Sequence, residues 1–152
     1  MDRLRSALIP CVLVAIALAP ADGNAQIYSS VGAGVAVPTG DFGDNFDTGW
    51  TVRGQLGLSF VLVDGHVQAG WSRFPGKDSV EDADIYHAGV GARVGLGLVF
   101  VGANAAYFFG DGEDGVGFFP EIGAHIGPIE AVADYRIDGD NKWLGARVGL
   151  RF

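Results

Sequence analysis

Cysteine is almost absent: the chain has one, Cys11, and it falls in an N-terminal stretch that reads as a leader. Without that leader the chain has no thiol, which excludes a disulfide framework and a thiolate metal centre. Long apolar runs are as scarce. The one present, Ala7 to Ala19, is shorter than the roughly 20 residues that a membrane-spanning helix needs. Positive charge is also in short supply: ten Lys and Arg stand against eighteen Asp and Glu, for a formal net charge of -8 and a pI near 4.6. Such a balance repels nucleic acid instead of neutralising its phosphates. The three histidines, His66, His87 and His125, lack the close spacing of a metal pair and read as polar filler. No serine is poised as a nucleophile, since the nearest grouping, Ser59, Asp64 and His66, only spans a tight turn. The chain is therefore read as non-enzymatic, with no catalytic residue, no cofactor and no metal. The glycines of Gly89-Val90-Gly91-Ala92-Arg93-Val94-Gly95 are not a phosphate-binding fingerprint, because no helix follows to receive a phosphate.

The leader decides the compartment. Arg3 and Arg5 precede the apolar run, Pro10 and Pro20 interrupt its ends, and Ala21, Gly23 and Ala25 supply small residues for a cleavage zone. This predicts a signal peptide over residues 1–25, cut after Ala25, and one exported domain over residues 26–152. Leu8-Ile9-Pro10-Cys11 is a poor lipoprotein box, because most of the apolar run follows the cysteine.

What the exported part does have is glycine and alternation. Gly is 25 of 152 residues, hydrophobic residues make up 49%, and mean hydropathy is +0.27. The last ten residues show the pattern best. Leu144, Ala146, Val148, Leu150 and Phe152 point one way, and Gly145, Arg147, Gly149 and Arg151 point the other, because strand side chains alternate faces. Period-2 reading predicts strands near Gln26–Val37, Gly49–Val61, His66–Phe74, Asp84–Val94, Leu98–Phe109, Val116–Ile126, Ile129–Ile137 and Trp143–Phe152. Each is close to the roughly 9–11 residues of a tilted membrane strand. The links alternate. Pro38–Thr48, Pro75–Ala83, Gly110–Gly115 and Asp138–Lys142 are longer and polar, while Leu62–Gly65, Gly95–Gly97 and Gly127–Pro128 are tight. Long outer loops and short periplasmic turns sort in this way in membrane barrels, so the predicted fold class is all-β: an eight-stranded antiparallel up-and-down transmembrane β-barrel. Aromatic residues at the strand ends, Trp50, Trp71, Phe74, Tyr86, Tyr107, Phe109, Phe118, Tyr135 and Trp143 towards the long loops and Phe60, Phe100 and Phe152 towards the turns, suggest two interfacial girdles.

Pro38-Thr39-Gly40-Asp41-Phe42, then Phe46 and Gly49-Trp50 after a glycine-rich first strand, together with the terminal Leu150-Arg151-Phe152, resemble the small eight-stranded outer-membrane barrels of the OmpA-like and OmpX-like porin family. The resemblance covers essentially the whole exported chain and reports architecture more than activity. It implies that Phe152 is read by the barrel-insertion machinery. It brings no catalytic residue.

By parity the lumen receives Arg53, Gln55, His66, Gln68, His87, Arg93, Asn104, Glu121, His125, Glu130, Asp134, Arg136, Arg147 and Arg151. Centring the last hairpin on Asp140-Asn141 and the preceding turn on Gly127-Pro128 yields two cross-strand ladders, Glu121/Asp134/Arg147 and His125/Glu130/Arg151. With Arg53 and Arg93 they form a predicted structural charge network. Eight strands enclose a lumen just wide enough for side chains, which argues for a plug and leaves a narrow ion leak as the alternative. The acids outside the strands gather in the predicted outer loops. Asp41 and Asp44, and then Asp111, Glu113 and Asp114, offer hard oxygens of the kind calcium takes, without EF-hand spacing. The expected protein is a monomeric envelope scaffold or surface interaction protein of the bacterial outer membrane. Its expected partners are lipid, lipopolysaccharide, the insertion machinery and an extracellular cation or protein. A narrow porin-like channel or small-ligand transport barrel is the runner-up.

Overall fold

The computed structural model describes residues 25–111 and 114–152. The predicted leader up to residue 24, with Cys11, and Glu113 of the third acidic loop lie outside them. Eight strands follow one another: β1 (Gln26–Thr39), β2 (Gly49–Ser59), β3 (Val63–Phe74), β4 (Ala83–Leu96), β5 (Val99–Gly110), β6 (Gly115–Ile126), β7 (Ile129–Asp138) and β8 (Asn141–Arg151). Each pairs antiparallel with its sequence neighbour, and β1 pairs with β8 to close the sheet. Backbone bonds seal the seam, with Phe152 N–H donating to the Ser29 carbonyl at 2.8 Å and Ser29 N–H to the Phe152 carbonyl at 3.1 Å. The architecture expected from alternation, an all-β closed up-and-down barrel of eight strands, is the one observed.

Alternation here separates two chemistries. In β8 the exposed positions are Leu144, Ala146, Val148 and Leu150, and the buried ones Trp143, Gly145 and Arg147. The same holds around the barrel, where Ile27, Val31, Val35, Leu56, Val94, Val101, Ile122 and Ile129 are exposed while Arg53, Arg93, Glu121 and Asp134 are buried. In the described strands, only Arg73, Asp84 and Lys142 put charge on the outer face, and each lies within two residues of the loop end of its strand. On the outside near that end, Trp50, Trp71, Tyr86 and Phe109 form a chain of aromatic contacts, with centroids 4.3, 6.4 and 5.7 Å apart in turn.

Three aromatics depart from the expected girdles. Phe74, Phe100 and Trp143 point into the barrel and are at most 1% exposed. Parity is the reason: Trp143 shares the phase of Arg147, Phe74 that of Ser72, and Phe100 that of Asn104.

The connections at the turn end are short, as expected. At the other end the expected long link Asp138–Lys142 is a two-residue turn of Gly139 and Asp140, with Asp138 opposite Asn141. Gly139 has φ 55°, a backbone conformation glycine adopts without steric cost and one that tight hairpin turns require. The first long loop folds into a short helix, α1 (Asp41–Asn45), which period-2 reading missed. Its Phe42 is buried, and the segment is laced to the β3–β4 loop by Lys77 N–H on the Asn45 carbonyl (2.9 Å), Asp47 N–H on the Pro75 carbonyl (2.8 Å) and Lys77 Nζ on the Gly43 carbonyl (2.6 Å).

Candidate functional site

The lumen is where the strands gather most of their ionic side chains, and it changes character along its length. At the loop end it is an apolar core. Phe42 of α1 sits 5.0 Å from the ring of Phe74 and 5.9 Å from that of Trp143, while Phe108 lies 5.7 Å from Trp143 and 6.1 Å from Phe119. Ala36, Ile85 and Ala106 complete the cluster. The helix thus corks the barrel from within.

Below it lies a belt of charge. Arg53 contacts Asp134 and, at 3.2 Å, Glu121. Arg147 contacts Asp134 and, at 3.3 Å, Glu121. Arg93 reaches Glu121 at 2.5 Å through Nε and Glu130 at 2.8 Å through Nη1, and its Nη2 donates to Gln55 at 3.0 Å. Arg136 donates through Nε to Asp134 at 3.0 Å, reaches Ser72 and Thr51, and lies over the rings of Phe119 and Trp143. Buried carboxylates and guanidiniums are tolerated because each has several partners; removing one would strand the others in a low-dielectric interior. Gln68, Asn104 and His66 extend the belt, with His66 Nε2 2.8 Å from the Asn104 oxygen. His87 and the indole N–H of Trp143, by contrast, have no hydrogen-bond partner in the described lumen.

The expected ladders hold on one side and shift on the other. Glu121 faces Asp134 and His125 faces Glu130 across β6–β7, in the expected register. Across β7–β8 the tight turn moves the ladder by two residues, so that Asp134 faces Gly145 and Arg147 faces Val132. Arg147 still meets Asp134, diagonally, because Gly145 leaves the space: a Cβ there would lie 2.6 Å from Asp134 Oδ1. The second ladder is redistributed. Glu130 takes Arg93 as its partner in place of Arg151, and Arg151 turns to Asp64 at 3.0 Å and to His125 Nε2 at 3.2 Å. Arg136 and Asp64 are participants that the ladder construction did not include. Parity places Arg136 inward, whereas Asp64, expected in the Leu62–Gly65 turn, belongs to β3, which already starts at Val63.

The acidic loops are less organised. Asp41 and Asp44 are exposed on α1, and Asp114 is exposed in its loop. Asp111 accepts from the Asp84 N–H at 3.0 Å. Among the described residues no three acidic, cysteine or histidine side chains converge as a metal-holding group. The Asp82 carboxyl is held below the usual carboxylate range by hydrogen bonds from Arg73 (2.9 Å) and from the Gly76 N–H (3.1 Å).

These features define a closed, eight-stranded antiparallel barrel. Such a barrel has been seen in the crystal structure of neisserial surface protein A, to which this chain is similar at 19% identity and a TM-score of 0.57, over 84% of this chain and 97% of that one. At that identity the likeness is one of fold. No family model and no curated protein matches the sequence.

Proposed function

We propose that this chain is an exported, outer-membrane-resident barrel without enzymatic activity, a lipid-embedded scaffold that presents acidic loops to the exterior, in the manner of the OmpA-like and OmpX-like barrels. The observation that carries this reading is the inversion of the barrel: apolar side chains such as Leu144, Val148 and Ile122 are exposed, and Arg53, Arg93, Arg136 and Arg147 are buried. In water that arrangement would expose a continuous apolar wall. In hydrocarbon it is the expected one. The aromatic chain Trp50–Trp71–Tyr86–Phe109 supplies a belt of the kind found where lipid meets water, on the side of the long loops. Membrane residence and export also give Phe152, exposed at the end of β8, its role as an insertion signal. The filled lumen speaks for a plug over a pore, and the loops of Asp41, Asp44, Asp111, Glu113 and Asp114 supply a negative field for cations or basic partners rather than a preformed calcium cage.

Fractionation with gel electrophoresis tests the reading. The expected outcome is a protein that leaves the membrane only in detergent and migrates differently before and after heating. A protein released by salt alone would overturn it. Planar-bilayer recording tests the plug separately, and a steady single-channel current would favour the porin-like alternative.

A further inference from the structure

The lumen is not filled to its turn end. There it opens into a cavity of about 300 Å³, bordered by Phe60, Leu62, Asp64, Phe100, His125 and Arg151. Its inner limit is Arg93, which also lines it and whose three guanidinium nitrogens are committed to Glu121, Glu130 and Gln55. The Arg93 guanidinium lies 4.4 Å from the centre of the Phe100 ring, and His125 stacks on that ring at 4.6 Å. Beyond this floor comes the charge belt and then the aromatic cork. The cavity is therefore a blind cup, entered and left by one mouth.

Its polar groups are not used up. Arg151 spends Nη1 on Asp64 and His125 and has no protein hydrogen bond from Nε or Nη2 among the described residues. The Arg151 guanidinium lies 3.9 Å over the ring of Tyr28, a residue only 4% exposed whose hydroxyl has no partner. Tyr28 lies behind Arg151 and is not part of the cup's lining, so the free donors on the wall are Nε and Nη2 of Arg151. Such a set of donors matches the two oxygens of a carboxylate, which a guanidinium holds in a forked geometry. The remaining wall, Phe60, Leu62 and Phe100, is apolar.

We propose that the turn-end cup binds a small organic monocarboxylate with a compact apolar body, its carboxylate on the free Nε and Nη2 edge of Arg151 and its body against Phe60, Leu62 and Phe100. A cavity at the lower end of the usual ligand-site range, about 300–1,000 Å³, suits one ring or a short chain. The proposal rests on the plugged-lumen reading only for the dead end; a conducting barrel would overturn that reading and leave the binding measurement intact.

The test uses the refolded barrel in detergent micelles, titrated with 3-phenylpropionate and, in parallel, with its neutral amide, while the aromatic and imidazole NMR signals are followed. Saturable binding of the acid is expected, with the amide about tenfold weaker or worse because the charge-assisted contact is gone. Arg151→Gln should weaken the acid by a similar factor. Gly95→Leu should abolish binding without touching Arg151. Gly95 lines the cup, and a Cβ there would meet only the Leu62 carbonyl, at 3.9 Å. Heat-modifiable migration establishes which variants fold, so that Gly95→Leu decides the matter if Arg151→Gln does not. Non-saturable uptake equal to that of empty micelles, equal affinity for acid and amide, or unchanged binding in folded Gly95→Leu would overturn the proposal.

Discussion

The two ends of the lumen are built from the same strands and finish differently. At the loop end a five-residue helix folds inward, and Phe42 meets Phe74, Phe108, Phe119 and Trp143 in a dry cluster. At the turn end the connections are too short to fold back, and the lumen stays open as a cup with half a free guanidinium on its wall. A barrel of this size does not need an external plug. What fills it is decided by how much chain each end can spare, and by whether the inward positions nearest that end are large or small. Between the ends, the charge belt keeps both regions apart.

Breaking that middle belt should have the largest effect. Arg147→Leu leaves Asp134 and Glu121 short of one cation in a buried site and is expected to cost about 3–5 kcal/mol. The exposed Arg73, whose partners Asp82 and Asp84 lie near the loop end, should give a far smaller change as Arg73→Leu. Urea midpoints for refolded protein in micelles provide the comparison, and equal losses would contradict it.

Uncorking the loop end comes next. Phe42→Ala removes a buried ring from the aromatic cluster and should cost about 3 kcal/mol, as large-to-small core substitutions do. Residues 40–48 should become protease-sensitive while the barrel persists. Loss of the barrel itself would mean that the cork is part of its folding core.

The outer wall gives a third handle, because the contrast between inside and outside matters as much as that between the ends. Val148→Arg places a charge on the exposed face of β8 and should destabilise by about 2–3 kcal/mol in lipid vesicles if the site lies near mid-membrane. The same change in the lumen's phase would be a different experiment, since there it would meet the belt.

The smallest effect is a pH dependence confined to the loops. The Asp82 carboxyl sits below its ordinary value because Arg73 and the Gly76 N–H favour its charged form. The stabilisation it brings is therefore present above the ordinary aspartate pKa and fades as pH falls through the lower folded value. Amide exchange at Gly76, followed from neutral pH into the acid range, should accelerate on the acid side, and Asp82→Asn should flatten the profile.

Much of this could be read before any coordinates. Alternation along β2, β4, β6, β7 and β8 settles which face each residue takes, and so collects Arg53, Arg93, Glu121, Asp134 and Arg147 in one interior. Two things escaped. The pairing of β7 with β8 depended on one positive-φ glycine, Gly139, and a turn placed on Asp140-Asn141 moves every partner by two residues. The short helix at Asp41–Asn45 has too few residues to show a period, and its role depends on Phe42 finding Trp143, which lies about a hundred residues away in sequence. Phe74, Phe100 and Trp143 differ in kind: the alternation that sorts the charges also turns these rings inward, against the general liking of aromatics for membrane boundaries.

The seam between Ser29 and Phe152 has a kinetic consequence. Seven of the eight pairings are hairpins between neighbours, each close in sequence, whereas the last joins the two extremes of the domain. Bringing such distant segments together carries the greatest loss of chain freedom, so that one zipper should form late and set the pace of assembly. Until it forms, β1 and β8 each offer a bare row of amides and carbonyls to any passing strand. The interval before zippering, more than the finished cylinder, is when this molecule is exposed to aggregation.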